Sequence, residues 1–373
     1  MLDAAFQYSG VYLTGQILYL ILYVTSRCNS RCKMCFSWRG MEERRKCSPA
    51  LSLEEIDKIT QHSPAVGQLT LSGGEPFLRD DLPEICQLFY KNTHTRFFTI
   101  PTNCLLPEKF EVIVSSFYKR CHNGYLNFCL PIDGVGTLHD EIRGVKGNFE
   151  KLIESIKVIQ QMQHVHKRLT FNLNTVLSKY NKNAIREIID YAISNYPDIP
   201  YGFALVRGDT RLEDAKVLPE SAYNEACEYY RSKYRHNPIR KAPYSMVQKG
   251  IVRMVQDKVS KSITNASGVF RCRAGDRMLV IYENGDVSPC EILGNRLYNN
   301  ANVTSATLGN LRDSSYNLKG ILKSGKAKLV LEHIRNTGCS CTWECAIFNS
   351  LISNPISLTK IIAKGVLSKT GHR

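Results

Sequence analysis

The sequence predicts an α/β fold: a barrel, open or closed, of parallel strands joined by right-handed crossovers, followed by a small cysteine-bearing domain built on a β-hairpin. Three observations carry this. Short β-rich runs alternate with amphipathic helical stretches six times between residues 17 and 206. The pattern changes at Arg277, where Met278-Leu279-Val280-Ile281-Tyr282, Asn284-Gly285 and Val287-Ser288-Pro289-Cys290 spell two strands around the strongest short hairpin signal. Of the 14 cysteines, eight fall in two constellations, one near each end of this plan.

The first strand, 17–24, is far shorter than the roughly 20 residues of a membrane-spanning helix. It has neither a basic leader nor a small-residue cleavage site, and reads as a buried strand. Strands follow at 68–71, 96–100, 125–132, 169–176 and 201–206, with helices at 53–62, 82–92, 107–118, 149–164 and 183–196. Ser52, with Glu55 three residues on, opens the first helix as a capping box. Ligands of such a barrel gather at the carboxyl ends of its strands. Residues 207–268, charged, Tyr-rich and interrupted by Pro238 and Pro243, read as a helical linker.

The tail, 349–373, carries Lys360, Lys364, Lys369 and Arg373 but no acid, and Ile356, Leu358, Ile361, Ile362 and Leu367 can share one helix face. Such a basic amphipathic helix packs on its own domain or makes weak contact with a membrane surface or a partner. The expected division is 1–210 (barrel core), 211–268 (linker), 269–348 (cysteine-bearing domain) and 349–373 (tail).

With 43% hydrophobic and 22% charged residues in a chain of 373, wholesale disorder, collagen and coiled coil are excluded. Lys and Arg exceed Asp and Glu by 49 to 34, giving +15, which suits an anionic substrate, cofactor, nucleic acid or membrane surface without choosing among them. Tightly grouped cysteines without a secretory leader point to metal ligation in a reducing cytoplasm.

Directly after the first strand comes Thr25-Ser26-Arg27-Cys28-Asn29-Ser30-Arg31-Cys32-Lys33-Met34-Cys35. Three thiolates at this spacing can wrap one side of a cubane iron–sulfur cluster and leave one iron without a protein ligand; zinc, or three unconnected thiols, is the bland alternative. The array lies in the long stretch 25–52, read as a functional loop. After the second strand, Ser72-Gly73-Gly74-Glu75-Pro76 lets backbone approach a ligand closely.

With Pro101-Thr102-Asn103 after the third strand, Ile132-Asp133-Gly134 after the fourth, then His139-Asp140-Glu141-Ile142-Arg143-Gly144 and Gly147-Asn148-Phe149, the chain resembles the radical S-adenosylmethionine (SAM) enzymes over about residues 15–210. The last two runs resemble the subgroup with C-terminal auxiliary clusters. Met34 departs from the pattern, since many members carry an aromatic residue there.

The resemblance implies a partial (β/α)6 TIM-like barrel. Cys28, Cys32 and Cys35 would hold a 4Fe–4S cluster whose open iron takes the amino and carboxylate groups of SAM. Gly73, Gly74 and Glu75 would meet the methionine amino group, Thr102, Asn103 and Asp133 would lie near the ribose, and Arg143 would pair with the carboxylate. Turn chemistry after a strand is the plain alternative for Asn103 and Asp133. The implied reaction is reductive cleavage of SAM to a 5′-deoxyadenosyl radical that takes a hydrogen atom from substrate carbon.

Cys272, Gly285 and Cys290 resemble the SPASM and twitch auxiliary-cluster domains, with Cys339, Cys341 and Cys345 downstream. The resemblance implies an auxiliary 4Fe–4S cluster on Cys272, Cys290 and Cys345, with Cys341 and then Cys339 competing for the fourth place. No cysteine follows Cys345, which points to a twitch-like single cluster; a zinc knot remains the alternative. Cys47, Cys86, Cys104, Cys121, Cys129 and Cys227 read as ordinary thiols, with Cys104 the one able to face the pocket.

The functional expectation is a cytoplasmic radical SAM oxidoreductase acting on a peptide or a small molecule such as a sugar, served by an electron donor such as flavodoxin or ferredoxin. The 16 residues ahead of the first strand leave no room for a leader-peptide domain, which leans against a self-sufficient peptide maturase. The rival class is a nonenzymatic zinc module binding nucleic acid through its basic surface. The motifs favour the enzyme, and no nucleic acid is expected.

Overall fold

The computed structural model describes residues 16–234, 243–264, 268–294, 306–339 and 341–354, together with 356, 357 and 360. Six β-strands form the parallel barrel: β1 (Ile17–Thr25), β2 (Val66–Gly73), β3 (Phe97–Pro101), β4 (Tyr125–Pro131), β5 (Leu169–Leu177) and β6 (Tyr201–Leu205). Each pairs in parallel with the next. Every strand lies where the alternation places it, and the capping box at Ser52 forms as the sequence predicts.

The helices are α1 (Trp38–Cys47), α2 (Leu53–Gln61), α3 (Leu82–Asn92), α4 (Lys109–Arg120), α5 (Thr137–Arg143), α6 (Asn148–Val165), α7 (Ile185–Asn195), α8 (Ser221–Tyr234) and α9 (Pro243–Thr264). Beyond the hairpin come α10 (Glu291–Gly294), α11 (Leu318–Lys323), α12 (Gly325–Asn336) and α13 (Glu344–Ile352). The expectation of a structureless stretch after β1 is corrected by α1. That helix buries little apolar surface, chiefly Met41, Gly40 and the Arg44 side chain, so hydrophobic periodicity could not reveal it.

The hairpin forms around Gly285, whose φ of +90° demands glycine, between β7 (Met278–Ile281) and β8 (Asp286–Ser288), and β9 (Gly309–Asn310) adds beyond β8. This hairpin continues the barrel's own sheet: β7 pairs in parallel with β1, from Tyr19↔Met278 to Leu22↔Ile281. The strand order is β6-β5-β4-β3-β2-β1-β7-β8-β9. β1 is therefore flanked on both edges, which explains why all nine of its residues are buried and why it reads as a continuous apolar run.

A second tie is ionic. Arg312, just past β9, donates to both carboxylate oxygens of Glu55 in α2, at 2.7 and 3.0 Å. The guanidinium holds the Glu55 carboxyl at about 2, below its ordinary 4.5. A depressed carboxyl contributes stability that is complete above pH 4.5 and lost as pH falls toward 2. Arg312→Ala is expected to cost about 1–2 kcal/mol at neutral pH and to flatten the acid-side loss in thermal melts. A melting curve that keeps its wild-type acid dependence would refute that tie.

Of the tail, Leu351 and Ile352 are buried at the end of α13, whereas Ile356 is exposed. Leu358, Ile361, Ile362, Lys364, Leu367, Lys369 and Arg373 lie outside the described residues, as do residues 1–15. Among the described residues no helix is long and apolar enough to cross a membrane.

Candidate functional site

The loop carrying Cys28, Cys32 and Cys35 crosses the carboxyl ends of the strands and is held there by backbone bonds from three directions. From β2, Gly74 N donates to Thr25 O and Glu75 N to Arg27 O, both at 2.8 Å. From α5, the carbonyls of Arg143 and Ile142 accept from Arg31 N and Lys33 N at 3.1 and 2.9 Å. From the segment after β6, Arg211 N donates to Cys35 O and Leu212 N to Lys33 O, at 3.1 and 3.0 Å. The last pair brings the β6 end of the sheet back to the β1 end at this mouth.

The two glycines owe their identity to this approach. A Cβ on Gly74 would stand 2.1 Å from Arg27 O, and one on Gly73, at φ +126°, 2.3 Å from Thr25 O. No side chain fits.

Glu75 is fully buried beneath the glycines. Its Oε1 accepts from Thr102 Oγ1 at 2.7 Å and Phe77 N at 3.0 Å, and its Oε2 accepts from Asn103 N at 2.7 Å. Burial raises its carboxyl above the ordinary range, and these donors pull it back. Asn103 passes the link on, its Nδ2 donating to Asn29 Oδ1 at 2.7 Å and Ser30 Oγ at 3.0 Å inside the cysteine loop.

Asp133, also fully buried, accepts from Val176 N and from Arg143 Nε, both at 2.7 Å. Arg143 Nη1 then reaches Cys32 Sγ at 3.5 Å. Burial opposes the guanidinium charge, but Asp133 and Cys32 outweigh it and hold the pKa above the ordinary value. The neighbouring His139 is neutral, pushed down to about 3 by burial and by Arg143.

The structure thus brings Gly73, Gly74, Glu75, Thr102, Asn103, Asp133, Arg143 and the three cysteines to one place. As they stand, Glu75 and Asp133 spend both carboxylate oxygens on internal bonds. Asn29, Ser30 and Asn148 join the site without having been singled out; Asn148 Nδ2 donates to Asn103 O at 2.8 Å. A polar residue opening a helix right after glycine, as in Gly147-Asn148, was the available signal. Cys104 is wholly buried rather than facing the mouth, its φ of +63° turning the chain into the core.

In the hairpin unit, the thiols of Cys272 and Cys339 are in side-chain contact. Cys290 lies beside Cys341 and Cys339, and Cys345 against Tyr19 of β1. Burial pushes the Cys35 thiol up to about 11 and that of Cys345 to about 12, so metal binding must displace protons. Among the described residues no three His, Cys, Asp or Glu side chains are already gathered to grip a single metal ion. The donor chemistry nevertheless fits an iron–sulfur cluster: three thiols on one backbone-pinned loop, and five more around the hairpin. A cavity of about 300 Å³ lies elsewhere, between α8 and α9, lined by Asn224, Arg231 and Asp257 among others.

Comparison with known proteins places these features. The family model of the Radical SAM superfamily matches residues 22–192, and that of the SPASM iron–sulfur cluster-binding domain matches 272–346. A probable GTP 3′,8-cyclase of Methanococcus maripaludis is 34% identical over 142 residues, 37% of this chain and 46% of that protein. The structure of native anSMEcpe with bound AdoMet and Cp18Cys peptide superposes with a TM-score of 0.55 at 15% identity, covering 95% of this chain and 99% of the other. Streptococcus suis SuiB gives 0.53 at 18% identity, covering 90% and 72%. The chain spans about half the length of the curated relatives it matches.

Proposed function

The chain belongs to the radical SAM superfamily and carries a SPASM iron–sulfur cluster-binding domain, and from that membership we propose that it cleaves SAM reductively and removes a hydrogen atom from a carbon of a peptide or small-molecule substrate. The observation that carries this reading is the lacing of the Cys28–Cys32–Cys35 loop to the Gly73-Gly74-Glu75 turn, the Thr102-Asn103 turn and the Asp133–Arg143 pair at one barrel mouth. Bound there, a 4Fe–4S cluster and SAM supply the one-electron chemistry.

The protein's own part is placement. Cys28, Cys32 and Cys35 would hold the cluster. The unhindered backbone of Gly73 and Gly74 would face the methionine end of SAM, Thr102 and Asn103 its ribose side, and Arg143 the carboxylate, with Asp133 keeping the guanidinium aimed and charged. The Glu75 carboxylate ties Phe77, at the exit of the glycine turn, to the Thr102-Asn103 turn. Cys272, Cys290 and Cys345 would hold an auxiliary cluster, with Cys341 and then Cys339, both beside Cys290, as the candidates for the fourth place. The electron comes from a donor such as flavodoxin or ferredoxin.

A peptide substrate stands first because a protein of the same fold holds one; a small molecule such as a nucleotide or sugar is the second reading, since a sequence relative is named as a GTP cyclase. Protein purified without oxygen is expected to be brown, with about eight irons per chain, and to release 5′-deoxyadenosine from SAM upon chemical reduction. Colourless protein holding zinc, with no release, would overturn the reading.

A further inference from the structure

Two buried side chains of the barrel reach into the hairpin unit, to residues next to its thiols. Tyr23 of β1 shares a hydrogen bond of 3.0 Å with Ser37, two residues past Cys35, and donates to Glu291 Oε1 at 2.7 Å, beside Cys290. Arg207, just past β6, is ion-paired with Glu344 and donates to Thr342 O at 3.1 Å. The other Glu344 oxygen accepts from Leu205 N at 3.0 Å.

Thr342 and Glu344 both stand between Cys341 and Cys345. The short loop that spaces these two sulfurs is therefore fastened to the carboxyl end of a barrel strand. The Arg207 and Glu344 side chains are only 16% and 19% exposed. Taking such a pair out of water costs several kcal/mol per ion before the mutual attraction returns it, so the pair is a weak device for stability alone.

The electrostatics supply the other half. The Arg207 charge lies near Glu344, Cys345 and Glu291, and both Cys341 and Cys345 feel it. A thiolate-ligated cluster is anionic, and its stability and potential depend on the charges and hydrogen bonds around the sulfurs. Glu344 adds negative charge at the same place, and Arg207 is the cation paired with it.

We propose that Arg207 is the positioning residue of the auxiliary iron–sulfur site, fixing the path of the Cys341–Cys345 loop and furnishing the positive charge against which an anionic cluster is held. This rests on the function proposed above, but its readout is the auxiliary cluster alone. Arg207→Ala, Arg207→Lys and Glu344→Gln are to be prepared anaerobically and compared with wild type by iron and sulfide content, by EPR of the reduced protein and by redox titration.

Arg207→Ala is expected to lose the auxiliary share, about four of about eight irons, while keeping the signal of the amino-terminal cluster and chemically driven SAM cleavage. Arg207→Lys should retain the iron. Should Arg207→Ala fail to fold, Glu344→Gln decides: it removes one negative charge and leaves a single amide oxygen to serve Arg207 and Leu205 N, so the auxiliary potential should move positive. Full iron with unchanged potentials in Arg207→Ala, or an unmoved auxiliary potential in Glu344→Gln, overturns the proposal. Wild-type protein with no cluster at all would overturn the function and not single out this residue.

Discussion

Replacing Cys28, Cys32 and Cys35 together by alanine is expected to lower iron from about eight to about four per chain and to abolish 5′-deoxyadenosine release. The three thiols sit on a loop whose backbone is fixed independently of them, by bonds to Gly74, Glu75, Ile142, Arg143, Arg211 and Leu212. The substitution therefore removes sulfur donors without removing what shapes the loop. The remaining iron reports the auxiliary site, and an unchanged melting temperature in the cluster-free protein would show that the barrel is intact. Iron that stays at the wild-type level, or cleavage that persists, would refute the assignment of this loop.

The second large effect is predicted at Glu75, where Glu75→Gln should destabilise the fold by about 3 kcal/mol at pH 7 and loosen the cysteine loop with it. The carboxylate satisfies three buried donors, Thr102 Oγ1, Phe77 N and Asn103 N, from two oxygens. An amide offers one acceptor and turns a second donor on one of those partners, so at least one buried N–H or O–H is left unpaired.

The pH dependence gives a signature. Burial is the leading cause that raises this carboxyl in the folded state, so the stability linked to it is greatest at low pH and is lost as pH rises through the raised value. The variant has no such group, and the gap between wild type and Glu75→Gln should widen as pH is lowered from neutral toward the carboxyl range. Matching melting temperatures from pH 5 to 7 would eliminate the bracing role.

Several features were legible because they are local. Short β-rich runs bounded by turns located the six strands, Ser52 and Glu55 announced a capped helix, and Asn284-Gly285 announced the hairpin. The cysteine spacing and the turns after β2, β3 and β4 named the site, since a loop that must approach another backbone closely needs glycine, and a cluster needs thiols at short intervals. α1 was not legible because its sequence, Trp38-Arg39-Gly40-Met41-Glu42-Glu43-Arg44-Arg45-Lys46-Cys47, has no apolar stripe. Its buried Arg44 is held by Glu283 at 3.0 Å and by the face of Tyr282, partners more than 230 residues away in the chain.

The sequence by itself determined the six barrel strands and the hairpin and offered the candidate sulfur donors, because each depends on side-chain pattern or on residues a few positions apart. Only the tertiary structure decided that β7 joins the free edge of β1, that Glu75 and Asp133 turn their carboxylates inward, and that Arg207 and Tyr23 reach across to the second set of thiols. Those outcomes depend on which buried charge meets which donor, and on which strand edge is left open, after distant segments have packed. Pairings of that kind leave no fixed spacing along the chain.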